Sequence, residues 1–315
     1  MKKRDFRKYI AYVKERRHST IADYYIEKDY FISLFLSTWQ KLKEEKKASS
    51  LDALIFKGGT LLVRNYLQYP RISEDLDFTH TDSNKLRLID NTNKREQEIK
   101  KRILPILEDI KIICDACGFD FNNNRTNTRY VKVRNSRAVY VLHFYYTSFI
   151  TNEEIPVKVE INFLENIMHH YIESRINTII DMDTFLKSID YNLENITIKT
   201  YSLDEIILEK YRAILTREAI KERDILDLYL IHQRGNNVLK ISTSAINKKI
   251  QSGIIIAHDM QKNLEKNCQL LQRETSITSD DDVSRFTLIN IDNAPYEEFK
   301  NHLIKKLKDI CLMQK

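Results

Sequence analysis

The chain has 315 residues, 42% of them hydrophobic and 30% charged, which supports a folded core and excludes a disordered polypeptide. Its net charge of +6 and pI of about 8.9 favour polyanionic partners such as nucleotides or nucleic acid without demanding them. Four cysteines in so long a chain make no disulfide framework, and the longest apolar run, Tyr30 to Trp39, is too short to cross a bilayer, so the expectation is a cytoplasmic protein with no membrane segment.

The opening MKKRDFRKYIAYVKERR is basic, but neither an apolar core nor a cleavage site follows it, so it does not read as a signal peptide. Residues 4–17 read as a helix, with Phe6, Ile10 and Val13 at helical spacing. A second helix is expected from near Thr20 past Trp39, carrying Tyr25, Phe31, Leu34 and Phe35 on its face. Residues 41–50 read as a solvated helix end and a loop. Leu54 to Phe56 is a short apolar run that leads into Lys57-Gly58-Gly59-Thr60. A helix from Leu61 to about Tyr69 follows, stopped by Pro70, and Ile72 to Phe78 alternates as a strand does.

Residues 83–117 read as one or two helices. Cys114 and Cys117 form a C-x-x-C there, but no second pair or nearby histidines complete a zinc site, so they read as ordinary thiols. Residues 127–149 predict two strands, VKV and AVYVLHFYY, and Pro156 introduces a third, VKVEINFLE. Residues 176–200 are mixed, and 203–232, 240–272 and 296–313 are helical. Phe299, Leu303, Ile304, Leu307 and Ile310 share a face of the last. The expected organisation is an α+β part over residues 1–196 followed by an all-helical part over 197–315.

Three elements carry the chemistry. Gly58-Gly59-Thr60 opens a helix: two glycines let backbone approach a ligand, and a helix start suits a phosphate. Thr60 either adds a hydroxyl contact or caps the helix. Asp75 and Asp77, two apart on a strand, point to one side, while Leu76 and Phe78 point to the other. Two carboxylates held so close repel, and a hard divalent cation such as Mg²⁺ relieves that. Glu160 is a single carboxylate in the later apolar strand Val157 to Phe163. Taken together they describe a two-ion phosphoryl-transfer site, with the ions roughly 3.5–4 Å apart gripping the attacking and leaving oxygens.

The run KGGTLLVRNYLQYPRISEDLDF resembles the signature of the AbiEii/MenT toxin family, a branch of the nucleotidyltransferases with the DNA polymerase β fold. Gly58, Gly59, Thr60, Asp75, Asp77 and Glu160 follow the superfamily pattern in order. IEKDYFIS, with Glu27, Lys28 and Asp29, resembles the family's N-terminal helix, and LDEIILEKYRAILTR and ERDILDLYLI its helical second half. The resemblance covers about residues 20–235.

It implies a polymerase β-like nucleotidyltransferase domain, a mixed sheet flanked by helices, followed by an all-helical domain. It implies further that Asp75, Asp77 and Glu160 hold two Mg²⁺ ions, and that Lys210 contacts the triphosphate of an NTP. Asp224 and Asp227 would form a carboxylate-bearing motif on the next helix, one catalytic and the other at the nucleotide. Lys210, Arg217 and Asp224 would share a face if the two segments made a single helix. Ser73, counted among the nucleotide-binding residues, corresponds to a serine beside the catalytic strand that can be phosphorylated in some relatives. Lys57 and Arg71 lie inside the motif as phosphate ligands, and Arg64 reads as a surface residue.

For the acceptor, residues 121–152 hold no Asp or Glu, but do hold Arg125, Arg129, Lys132, Arg134 and Arg137. Tyr130, Lys132 and Arg134 share a strand face, which suits phosphate contacts with base stacking. The resemblance implies a toxin that adds nucleotides to the 3′ end of tRNA, with a cognate antitoxin as partner. The rival readings are transfer of a nucleotide to a protein or small molecule, and a non-catalytic binding protein.

Overall fold

The computed structural model of the chain describes residues 3–135, 137–189, 191, 193, 196–257, 259–273 and 287–313. They fall into two compact units. The first holds residues up to 164, 171–201 and 287–289; the second holds 165–170 and the described residues from 202 onward that remain.

The first unit runs α1 (Lys3–Arg17), α2 (Asp23–Glu44), β1 (Leu54–Lys57), α3 (Gly58–Leu61), β2 (Asp75–His80), α4 (Ser83–Arg87), α5 (Thr92–Cys117), β3 (Val131–Arg134), β4 (Val139–Thr147), β5 (Glu154–Asn162), β6 (Ile172–Ile176), α6 (Thr184–Ser188) and β7 (Ile196–Thr200). Its strands form one mixed sheet in the order β3-β4-β5-β2-β1-β7-β6. β2 lies parallel to β5 and β1 to β7, while the other neighbours are antiparallel.

Side chains alternate along a strand, so the register sorts them into two faces. Phe56 pairs with Phe78, Phe78 with Ile161 and Ile161 with Tyr140, which makes one face apolar. α2 packs on that face: Trp39 meets Phe78 at 5.6 Å between ring centroids and Phe35 stacks on Phe144 at 4.9 Å. Lys57, Asp77 and Glu160 form a row on the opposite face.

Several boundaries differ from those read in the sequence. The helix expected from Leu61 begins at Gly58, and after Leu61 it widens into a π turn over Leu62–Tyr66. Gln68 and Tyr69 then take left-handed φ values of 53° and 60°, which reverse the chain before Pro70. β2 starts at Asp75 rather than Ile72, leaving residues 72–74 irregular. The mixed stretch resolves into β6, α6 and β7 around a short segment of which only part is described.

The second unit contains α7 (Leu203–Thr216), α8 (Glu222–Gln233), α9 (Thr243–Ile254), α10 (Asp259–Arg273) and α11 (Asn293–Leu312). The Ser202 hydroxyl caps α7 by accepting the Glu205 N–H. Leu303, Leu307 and Ile310 of α11 are fully buried, on the face that the spacing predicts. Lys249 is buried as well, 2.6 Å from Glu205 and 3.3 Å from Glu165. Cys268 and Cys311, for which the sequence suggested no pairing, are joined as a disulfide between α10 and α11, whereas Cys114 and Cys117 are free thiols. No described helix is long and apolar enough to cross a membrane.

Candidate active site

Position in the sheet brings the carboxylates together. Asp75 and Asp77 leave β2 on the polar face, and parallel pairing sets Asp77 opposite Glu160 and Asp75 opposite Lys158 of β5. Burial, and then the charge of Glu160, push the Asp77 carboxyl up to about 6. Lys158 Nζ lies 3.3 Å from Asp75 Oδ2 and 3.5 Å from Glu160 Oε2. Burial works against the charge on Lys158, but Asp75, Asp77 and Glu160 outweigh it and raise its pKa.

The glycines act here through size. Gly58 has φ +79°, and a Cβ on it would stand 2.3 Å from Asp77 Oδ2. A Cβ on Gly59 would stand 3.0 Å from Ser73 Oγ and 3.2 Å from Arg71 Nη2. The two glycines therefore let the β1–α3 backbone close against Ser73 and Asp77. α3 itself is a single turn, too short for the helix-start argument made from the sequence.

Thr60 is buried; its hydroxyl donates to the Asp75 carbonyl and lies 2.9 Å from Ser73 Oγ. It braces the strand entrance and does not point to solvent. Arg71 is likewise buried, with Nη1 donating to its neighbour's carbonyl at Ile72, 2.8 Å away. Lys57 pairs in register with Asp77, and its ammonium lies 5.8 Å from the Tyr201 ring centroid.

The AbiEii pattern, that of a nucleotidyl transferase toxin of type IV toxin–antitoxin systems, matches residues 42–310. This chain belongs to the AbiEii nucleotidyl transferase toxin family. The fold is similar to that of MenT4, a nucleotidyltransferase toxin from Mycobacterium tuberculosis H37Rv, with a TM-score of 0.56 and 17% identity over 95% of this chain and 89% of that one. JHP933 from Helicobacter pylori aligns at 12% identity and a TM-score of 0.39 over 94% of this chain and 96% of that one. No curated protein matches the chain.

Lys210, Asp224 and Asp227, which the AbiEii resemblance also singled out, belong to the second unit. Lys210 is buried on α7, with Nζ 2.8 Å from Asp224 Oδ1 and 2.5 Å from Asp227 Oδ2 of α8. Arg217 also pairs with Asp224. Burial alone would raise the Asp224 carboxyl, but Lys210 and Arg217 overcome it and hold it below the usual range. The single continuous helix is not formed, because the chain leaves the helix at Arg217 and re-enters it at Glu222. Two helices nonetheless gather Lys210, Arg217, Asp224 and Asp227 into one ionic cluster.

The basic strand face divides. Lys132 and Arg134 are exposed on β3, and the register runs Lys132–Val141–Glu160–Asp77, which sets Lys132 on the carboxylate face of the sheet. Arg129 is held by Asp120 at 3.3 Å and Glu154 at 3.1 Å and lies 4.4 Å from the Tyr145 ring centroid. His143 shares the face, and burial, then Lys132 and Lys158, lower its pKa.

As donors, Asp75, Asp77 and Glu160 are hard oxygen ligands of the kind that Mg²⁺ takes, and a cation would favour the charged form of Asp77, which burial and then Glu160 disfavour. Among the described residues, however, no three such side chains converge as a preformed ion cage. Two features escaped the sequence. Lys158 reads there as one more alternating strand residue. Arg64, read as a surface residue, is buried, with Nη2 2.8 Å from Asp29 Oδ1. Arg64 lies within the π turn, and its guanidinium is taken up by Asp29 and Ser33 of α2, which is why it is not at the surface.

Proposed function

We propose that this AbiEii-family chain transfers a nucleoside monophosphate from an NTP to RNA, with the 3′ end of tRNA as acceptor, and that a cognate antitoxin restrains it. The observation that carries the reading is the register of β2 and β5, which gathers Asp75, Asp77 and Glu160 on one sheet face beside the Gly58-Gly59 turn. Asp75 and Asp77, with Glu160 as third carboxylate, would hold a divalent cation, which would neutralise charge on the donor phosphates.

The chain's own groups do the rest. The side-chain-free turn at Gly58 and Gly59 closes against Asp77 and Ser73 and so sets its backbone beside the carboxylate that faces the donor phosphates. Lys57 adds positive charge next to Asp77. The new bond joins an acceptor hydroxyl oxygen to the α-phosphorus, and pyrophosphate leaves. Lys132 and Arg134, exposed at the edge of the carboxylate face, bind the acceptor's phosphates.

The test is incubation with total RNA, Mg²⁺ and each labelled NTP, resolved on a denaturing gel. Label entering a tRNA-sized band with the wild type and not with Asp75→Ala supports the reading. Label on protein instead would replace the acceptor, and label nowhere would remove the transfer activity.

A further inference from the structure

Lys158 has a place in the site that nucleotidyl transfer as described above does not use. It lies between two of the three carboxylates, touching Asp75 and Glu160, and pairs directly with Asp75 across the parallel strands. Its side chain is 31% exposed, against 45% for Asp75 and 30% for Glu160, so the trio sits at the site's open side rather than in the core. An ammonium there occupies the space between the same oxygens that a divalent ion needs. Two positive centres cannot share that space without strong repulsion.

Resting on the reading above, we propose that Lys158 is a tethered counter-cation that holds Asp75 and Glu160 together before substrate arrives and makes metal entry depend on nucleotide entry. With no nucleotide, Asp75 and Glu160 already have their cation, and a divalent ion must displace it. An NTP brings several negative charges to the same face. The extra anionic charge then accommodates both the divalent ion and the ammonium, which turns toward the donor's phosphates. The coupling is reciprocal: whatever nucleotide does for metal affinity, metal does for nucleotide affinity. Lys158 is thus a positioning residue that acts through the carboxylates.

The geometry also distinguishes this role from simple bracing. A bracing lysine, once removed, would loosen the carboxylates and weaken any ion they bind. A competing lysine, once removed, would free them and strengthen it. The sign of the change in metal affinity therefore separates the two.

The experiment is Mn²⁺ binding to the full chain, read from the electron paramagnetic resonance of free Mn²⁺, with and without a non-hydrolysable NTP analogue. Wild type, Lys158→Met, Lys158→Arg and Asp77→Asn are compared, with circular dichroism to establish that each is folded. Lys158→Met should bind Mn²⁺ about tenfold more tightly than wild type in the absence of nucleotide, equivalent to about 1.4 kcal/mol. The analogue should then improve its Mn²⁺ affinity far less than it improves that of wild type. Lys158→Arg, which keeps the charge, should behave as wild type does. Equal or weaker Mn²⁺ binding by folded Lys158→Met would overturn the proposal while leaving the metal site itself intact. No Mn²⁺ binding by wild type even with the analogue would overturn the metal reading, and this inference with it.

Discussion

Asp77 of β2 and Glu160 of β5 face one another in register on the polar side of the sheet, two acids where a strand pair would ordinarily place neutral or opposite charges. The arrangement works against folding. A carboxyl whose folded pKa is raised, here from 3.8 to about 6, costs stability above that pKa and nothing well below the unfolded one. At neutral pH the metal-free chain carries that cost. Asp77→Asn should therefore raise metal-free stability at pH 7 by about 1–2 kcal/mol, while lowering nucleotide transfer by about a hundredfold or more. Denaturant titration and the labelled-NTP gel check the two halves. A variant both less stable and fully active would place Asp77 outside the site.

Gly58 is the second constraint on the same carboxylate. Its φ of +79° is costly for any residue with a Cβ, and that Cβ would fall 2.3 Å from Asp77 Oδ2. Gly58→Ala should lose about 1–3 kcal/mol and displace Asp77. Differential scanning fluorimetry and the transfer assay should fall together. Gly118→Ala supplies the contrast: its φ is +73° but nothing lies within 4 Å of its Cβ, so stability alone should drop.

How much of this was legible in the sequence follows from range. Asp75 and Asp77 share a strand, so their common side is a matter of a two-residue period, and the glycine turn stands close before them. Glu160 can be grouped with them as a third acidic element and by the family pattern, but its place opposite Asp77 is not legible, because strand order is a long-range property. Lys158 stayed hidden for the same reason: its meaning depends on β5 lying parallel to β2 at one register, and a slip of one residue would turn it to the apolar face. The burial of Arg64 is not legible because it depends on Asp29, 35 residues earlier in the chain, and on a π turn that no sequence period announces. Lys210, Asp224 and Asp227 could be picked out from the family motifs, but their mutual pairing required the break between α7 and α8.

Arg64 and Asp29 form a closed ion pair, with side-chain exposures of 1% and 2%. Burial pushes the Asp29 carboxyl up, and Arg64 offsets only part of that. The guanidinium also lies 3.0 Å from Ser33 Oγ, which fastens the segment after α3 to α2. Removing one partner leaves the other charge buried and unpaired. Arg64→Met should cost about 3–5 kcal/mol. Asp29→Leu combined with Arg64→Met should cost clearly less than either single change. Urea melts of the three variants check this.

His80 makes stability depend on acid. It is 4% exposed, stacks on Phe163 and accepts the Asp82 N–H at Nδ1, 3.0 Å away, which requires the neutral ring. Burial lowers its pKa from 6.5 to about 4. A base with a depressed folded pKa contributes stability above the unfolded value and loses it as pH falls toward the folded one. About 2–3 kcal/mol should thus disappear between about pH 6.5 and pH 4. In His80→Gln that part of the stability–pH profile should flatten. An unchanged slope would mean that the ring is protonated in the fold.

Lys132 and Arg134 give the acceptor prediction. Both are exposed on β3, on the face that the register extends from Asp77 and Glu160. Each phosphate neutralised by such a side chain releases counterion, so log affinity for RNA should fall with log salt, and each lost contact should reduce that slope by about 1. The double variant Lys132→Ala/Arg134→Ala should bind RNA more weakly and with a shallower slope, while the KM for NTP in the labelling assay stays near that of wild type. Arg129→Ala should change the slope little, because Asp120 and Glu154 already hold its charge. Equal slopes for wild type and the double variant would move the acceptor away from this strand.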